Sequence, residues 1–199
     1  MQLPIYRGEE EQKLMTELWS PAVADDLEAF VMYAFPWGVK NTPLARFTGP
    51  RKWQREVLRE IRDFLKLNQG RIDSSELIEA MRGAISSGRG VGKSALVSWL
   101  VMWMLSTRIG SSVVVSANSE TQLRTVTWGE LTKWATMSIN SHWWEPSATK
   151  MVPATWLTDL VERDLQKGTR YWGAEGKLWS EENPDGYAGA HNHNGMLVV

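Results

Sequence analysis

The chain has 199 residues, with 22 basic and 23 acidic side chains, a net charge of −1 and no cysteine. A nearly neutral chain has no overall positive field that would hold it on nucleic acid, so any DNA contact must be local or made through a larger assembly. The absence of cysteine excludes disulfides, thiolate zinc sites and cysteine nucleophiles. An apolar content of 43% and a charged content of 23% are typical of a globular domain and exclude wholesale disorder.

No pattern in the chain predicts a membrane segment or a secretory leader. The first residues lack the charged and apolar regions of a signal peptide. The longest apolar run, 95–105, is too short to span a bilayer. We therefore expect a soluble, intracellular protein. The twelve tryptophans are expected to be mainly core and interface anchors.

Residues 1–48 are predicted to form a helical N-terminal segment. An acidic run at 9–11 begins a short helix that ends before Pro21, and apolar residues at helical spacing predict a second helix over 22–35. The second helix is expected to end before Pro36, because a residue that precedes proline avoids the α conformation.

The second predicted segment, 49–199, begins with a helix over 52–67 that Asn68-Gln69-Gly70 is expected to end. Gln54 lies in the first turn of this helix. A glutamine amide offers a donor and an acceptor that match the N6 and N7 edge of adenine. From spacing alone, however, an ordinary exposed helix residue is the favoured interpretation of Gln54.

A glycine-rich stretch lies between a predicted strand at 82–86 and a predicted helix over 93–107. Strand, glycine-rich loop and a helix that opens with Gly-Lys-Ser are the layout of a phosphate-binding loop, although Ser87 stands where the strict pattern has glycine. Backbone N–H groups in such a loop surround phosphate oxygens at the positive end of the helix. Lys93 would reach the β- and γ-phosphates of ATP, and the Ser94 hydroxyl would bind Mg²⁺. The candidate nucleotide-binding residues of this stretch are Ser87, Gly88, Arg89, Gly90, Val91, Gly92, Lys93 and Ser94.

The remaining elements predict an α/β fold with three layers and a mainly parallel sheet. A β-branched run at 112–116 follows the helix, so 82–116 is predicted to form one βαβ unit. Other predicted elements are helices over 73–81, 120–137 and 157–165, and strands within 150–156, 169–172 and 196–199. A metal site at His191 and His193 is not predicted, because no third ligand pattern lies nearby.

With these pieces in order, the chain resembles the large subunit of the tailed-phage terminase, the ATPase that drives DNA into a capsid. Gly49-Pro50-Arg51-Lys52-Trp53-Gln54 is similar to the family's adenine-recognising segment, and 88–94 is similar to its variant of the Walker A loop. Ser116-Ala117-Asn118, and Gly189 with His191 ahead of an apolar strand, also match the family.

The resemblance implies a P-loop NTPase fold that binds ATP and Mg²⁺, with Gln54 at the adenine. It also implies that Lys93 and Arg89 are catalytic, the arginine acting in cis on the γ-phosphate. The implied partners are double-stranded DNA, the portal protein, the terminase small subunit and other copies of the chain, with no membrane. The implied setting is viral genome packaging in the cytoplasm of the bacterial host.

The chain departs from the family at the last predicted strand. In the family this strand continues into an Asp-Glu pair, whose Asp orients Mg²⁺ and whose Glu activates water, whereas the sequence here ends at Val199. We therefore expect this chain to hydrolyse ATP weakly or not at all by itself. Two alternatives stay open: a nucleotide-binding fragment with a structural or regulatory role in an assembly, and a fragment of an unrelated P-loop helicase or AAA-type protein.

Overall fold

The computed structural model describes residues 8–73, 80–86, 88–178 and 195–199. Within these residues the chain is a mixed α/β protein with seven α-helices and a five-stranded sheet. The helices are α1 Gly8–Leu18, α2 Pro21–Ala24, α3 Leu27–Ala34, α4 Lys52–Asp73, α5 Lys93–Thr107, α6 Gly129–Met137 and α7 Thr155–Asp164. The strands are β1 Ser112–Ala117, β2 Trp144–Pro146, β3 Lys150–Pro153, β4 Gly173–Leu178 and β5 Met196–Val198. A π-helix, Gln122–Trp128, precedes α6, and a 3-10 turn, Ser141–Trp143, precedes β2.

The sheet is mixed, with the strand order β2-β3-β4-β1-β5. Strand β1 pairs in parallel with β4 on one side and with β5 on the other, which confirms the predicted parallel strand at the end of the chain. Strands β2, β3 and β4 pair antiparallel. The expectation of a mainly parallel sheet was therefore right only for β1, β4 and β5. The short connection between β2 and β3 permits a hairpin, whereas parallel neighbours need a long crossover.

Helix α5 leads into β1 through the short connection 108–111. The Ser111 hydroxyl donates to the Met104 carbonyl at 3.0 Å, and the Ser112 N–H donates to the Gly195 carbonyl at 3.1 Å. The last turn of α5 therefore lies beside the amino ends of β1 and β5.

The core is rich in aromatic side chains that the N-terminal helices share with α5. Trp99 meets Trp134 edge to face, with ring centroids 5.1 Å apart, and Phe35 meets Trp134 in the same way at 5.0 Å. The Trp103 indole donates to the Ala24 carbonyl at 2.8 Å. Seven of the eleven tryptophans in the described residues are buried, so the expectation of core anchors is confirmed for them.

The predicted end of the 52–67 helix was wrong, because α4 continues to Asp73. Asn68 does not turn the chain. Its side-chain amide donates to the Phe64 carbonyl one turn earlier, at 2.9 Å, which accommodates it within the helix. Gly70 costs a helix only about 1 kcal/mol relative to alanine, so it does not by itself end one.

The strand predicted at 82–86, ahead of the glycine-rich loop, was also wrong. Residues 80–86 pair with no strand of the described sheet, and all are exposed. Both edges of β1 are already occupied by β4 and β5, so no position beside β1 is open to them. Ile85 is 43% exposed, and this short segment therefore buries little apolar surface that would fix it. The described residues contain the helix and second strand of the predicted βαβ unit but not its first strand.

Three other predicted elements differ in their bounds. The helix predicted over 22–35 is divided into α2 and α3, because Asp26 caps α3 by accepting from the Ala29 N–H at 3.1 Å. The helix predicted over 120–137 is divided into the π-helix and α6, and Leu123, Leu131 and Trp134 on it are buried as expected. The strand predicted at 169–172 lies at 173–178 instead.

Two predictions lie wholly or mostly outside the described residues. The helix predicted over 73–81 falls mostly on residues that the structure does not describe, and residues 80 and 81 are not helical. Gly189, His191 and His193 also lie outside the described residues.

Candidate phosphate-binding loop

The predicted loop leads directly into α5, which begins at Lys93 as expected. Gly90 has φ +73° and Gly92 has φ +95°, so both occupy the left-handed region that favours glycine. The turn formed by these two glycines leads directly into the first residue of α5. Ser87, at the start of the predicted loop, lies outside the described residues.

The first turn of α5 has no side-chain cap. The first N–H groups of any helix lack an intrahelical acceptor, and no side chain caps α5 because its N-cap residue is Gly92. A Cβ atom placed on Gly88 or Gly90 would meet no heavy atom within 4 Å. There is therefore open space beside Gly88 and Gly90, and the positive end of α5 follows them directly in the chain.

Lys93 places its charge over the same loop. Its Nζ donates to the Gly88 carbonyl at 2.8 Å, so the side chain reaches back across the turn. Ser94 follows in the first turn of α5 and is partly exposed, and Arg89 is exposed at the turn itself. The structure thus brings Lys93 and the loop glycines together, with Arg89 and Ser94 beside them in the chain.

Ligands of open α/β folds bind at the carboxyl ends of parallel strands. The Ser116 N–H donates to the Val199 carbonyl at 2.6 Å, which places the ends of β1 and β5 side by side at that edge.

Gln54 contacts the loop, but with its amide turned towards protein groups. Its Nε2 donates to the Gly92 carbonyl at 2.9 Å, and its Oε1 accepts from the Arg51 N–H at 2.8 Å. The residue is only 3% exposed, so the interpretation of Gln54 as an ordinary exposed helix residue was wrong. Contact between Gln54 and adenine stays a prediction, and it would require the amide to face a different direction.

Arg51 is a loop contact that sequence reasoning missed. Its Nη1 donates to the Val91 carbonyl at 3.3 Å. The two residues are 40 positions apart in the chain, so no local pattern links them. The available signal was the position of Arg51 inside the 49–54 segment that resembles an adenine-recognising motif.

No protein-family model, curated protein or solved structure matches the chain significantly. The interpretation of this site therefore depends on its residues and geometry.

In the part of the chain that the structure describes, no helix is long and apolar enough to cross a bilayer. The same residues contain no group of three or more His, Cys, Asp or Glu side chains placed to hold a metal ion.

Proposed function

We propose that this chain binds Mg-ATP at 87–94 and has the three-layer fold of a P-loop NTPase. The observation that carries the proposal is the combination at one place of two left-handed glycines, an uncapped 15-residue helix and a lysine that reaches back across the loop. Each feature favours a phosphate group, and no neighbouring atom lies within 4 Å of a Cβ placed on Gly88 or Gly90, so the loop is not covered there.

The residues of the loop have distinct roles in this proposal. Backbone N–H groups at the start of α5 bind phosphate oxygens, and the Lys93 ammonium neutralises the β- and γ-phosphates. The Ser94 hydroxyl is the protein ligand for Mg²⁺, which supplies further charge neutralisation when bound. Arg89, exposed at the turn, is close enough in the chain to stabilise charge on the γ-phosphate.

The wider role that we propose is in a DNA-packaging motor of the terminase large-subunit type, in the cytoplasm of a bacterial host. The support is the ordered set of segments at 49–54, 88–94 and 116–118, which resembles that family. The contact between 51–54 and the loop adds to it, because two of these segments touch although they are far apart in the chain. Double-stranded DNA, the portal protein, the small subunit and other copies of the chain are the corresponding partners.

Calorimetric titration with Mg-ATP tests the nucleotide proposal. Lys93→Ala removes a charge-assisted contact worth about 1.5–3 kcal/mol, so affinity should fall roughly tenfold or more. Lys13→Ala is the matched control, because that side chain is 78% exposed on α1. Lys13 also belongs to a helix that lies near the far end of α5. The indole of Trp19, just after α1, donates to the Ser106 carbonyl in the last turn of α5, about 20 Å along that helix from the loop.

The proposal fails if the parent chain does not bind Mg-ATP, or if Lys93→Ala binds it as tightly as Lys13→Ala does. Phosphate release measured on the same samples separates an ATPase from a module that binds nucleotide without turnover.

A further inference from the structure

We infer that Gln54 is a positioning residue, which sets the direction of the backbone N–H groups in the phosphate-binding loop. This inference rests on the proposed function, since it assigns to Gln54 a part in phosphate binding. It differs from the role implied by the family resemblance, in which Gln54 contacts the base.

The first observation is that the Gln54 amide links the start of α4 to the start of α5, with its oxygen facing a donor and its nitrogen facing an acceptor. Gln54 is the third residue of α4, and its Oε1 accepts from the N–H of Arg51, the residue before the helix. This is the glutamine half of a capping box. Its Nε2 then faces the Gly92 carbonyl, which can only accept. The two contacts together fix the orientation of the amide.

The second observation is the position of the carbonyl that Gln54 holds. The Gly92 carbonyl also accepts from the Leu96 N–H at 3.2 Å, so it belongs to the first turn of α5. In a planar trans peptide the C=O and the following N–H point in opposite directions. Holding the Gly92 carbonyl towards α4 therefore turns the Lys93 N–H away from α4, on the opposite side of the C–N bond within the same peptide plane.

The third observation is close packing around Gly92. A Cβ atom on Gly92 would lie 2.9 Å from Nε2 of Gln54, whereas one on Gly88 or Gly90 would meet nothing within 4 Å. Gln54 is therefore packed against the loop at Gly92, whereas Gly88 and Gly90 have open space beside them. Arg51 supports the same peptide run by donating to the neighbouring Val91 carbonyl.

The test uses Gln54→Glu, which has nearly the same shape. A glutamate retains an oxygen for the Arg51 N–H, but it presents a second oxygen to the Gly92 carbonyl in place of a donor. The matched control is Glu56→Gln, the reverse exchange at an exposed position two residues along α4. The probes are Mg-ATP, Mg-GTP and magnesium tripolyphosphate, which has no base.

A positioning role predicts that Gln54→Glu weakens all three probes by the same factor, about tenfold, because the phosphate donors are misaligned. The new carboxylate also repels the phosphates, so amide exchange measured without ligand separates misalignment from repulsion. The loss should diminish as the pH is lowered towards the pKa of the carboxyl that Gln54→Glu introduces, which burial against the Gly92 carbonyl is expected to raise, since the protonated carboxyl regains an O–H that can donate to Gly92 and no longer repels phosphate. The parent chain and Glu56→Gln, titrated in parallel, correct for protonation of the phosphates.

Amide hydrogen exchange without any ligand supplies the second readout. In Gln54→Glu the N–H groups of 88–96 should exchange faster, while those of α6 stay protected and show that the fold is intact. The inference is overturned if tripolyphosphate binds unchanged while the preference for ATP over GTP is lost, because Gln54 then reads the base. It is equally overturned if exchange in 88–96 does not change. A parent chain that binds none of the probes refutes the proposed function, and the exchange result alone then decides the role of Gln54 in the loop.

Discussion

The Glu11 carboxylate accepts a hydrogen bond from the indole N–H of Trp143, a residue 132 positions further along the chain. Its other oxygen lies 2.8 Å from Nε2 of His142. Glu11 is 8% exposed and Trp143 is fully buried, so this pair holds α1 against the body of the protein in a region with little access to water. A buried indole donor needs an acceptor, and here the acceptor comes from the N-terminal helix.

Glu11→Ala should destabilise the chain by about 1–3 kcal/mol, because it leaves a buried donor without its acceptor. Glu11→Gln retains an oxygen for the Trp143 N–H and should cost less. Urea unfolding measures both. Glu10→Ala, at the exposed position just before, is the control and should change the unfolding free energy by less than about 0.5 kcal/mol. Equal losses for Glu10→Ala and Glu11→Ala would contradict the role given to this contact.

Three alanine substitutions in the loop separate backbone strain from steric contact. Gly88→Ala should be nearly neutral, since its Cβ meets no neighbour and its φ is not positive. Gly90→Ala should cost about 1–2 kcal/mol, because alanine resists the left-handed conformation although space is open. Gly92→Ala should cost more than Gly90→Ala, because it adds the contact with Gln54 to the same backbone term. Thermal unfolding gives the ranking, and a Gly92→Ala chain as stable as Gly88→Ala would disprove it.

An ion-pair cluster between α3 and α4 should make stability depend on acid pH. Glu28 accepts from Arg59 Nε at 2.5 Å and from Arg55 Nη1 at 2.8 Å. The hydrogen bond from Arg59, followed by the charges of both arginines and the bond from Arg55, holds the pKa of Glu28 below its usual value. Because the folded pKa is the lower one, this stabilisation is complete above about pH 4.5 and is lost as the pH falls through the folded pKa.

Glu28→Gln removes the charge and should cost about 1 kcal/mol near neutral pH, a modest value because Arg59 is solvent-exposed and the pair is screened. The difference from the parent chain should shrink in high salt and below about pH 4. Glu60→Gln, at an exposed position of α4, serves as the control. Urea unfolding across pH and salt checks the expectation, and a difference that is independent of both would refute it.

Tyr33 should contribute a loss of stability at alkaline pH. Burial, and to a smaller extent the hydrogen bond that its phenol donates to Glu17, raise the pKa of Tyr33 to about 12. The folded state therefore keeps this proton at a pH where the unfolded chain has lost it. The contribution is complete below about pH 10, the ordinary value, and is lost as the pH rises through about 12. Tyr33→Phe should flatten this part of the stability profile, as measured by unfolding. Tyrosinate absorbance should show one fewer late-titrating phenol.

The sequence by itself determined the elements that local chemistry specifies. The apolar run over 93–107 predicted α5 with its correct bounds, Pro36 predicted the end of α3, and the β-branched run at 112–116 predicted β1. The Gly-Lys-Ser sequence predicted the loop ahead of α5. These signals are strong because they arise from backbone preferences and side-chain periodicity within a few residues of each other.

Only the tertiary structure decided which distant groups meet. Glutamine is compatible with an exposed helix surface, and no neighbour of Gln54 in the sequence indicates that its amide caps α4 and holds the Gly92 carbonyl 38 residues away. The pairing of β1 with β4 and β5, which leaves 82–86 outside the described sheet, likewise depends on how the helices and strands pack together. A hydrogen bond of this kind forms where packing has already excluded water from both partners, and that exclusion is a property of the whole fold rather than of any short segment.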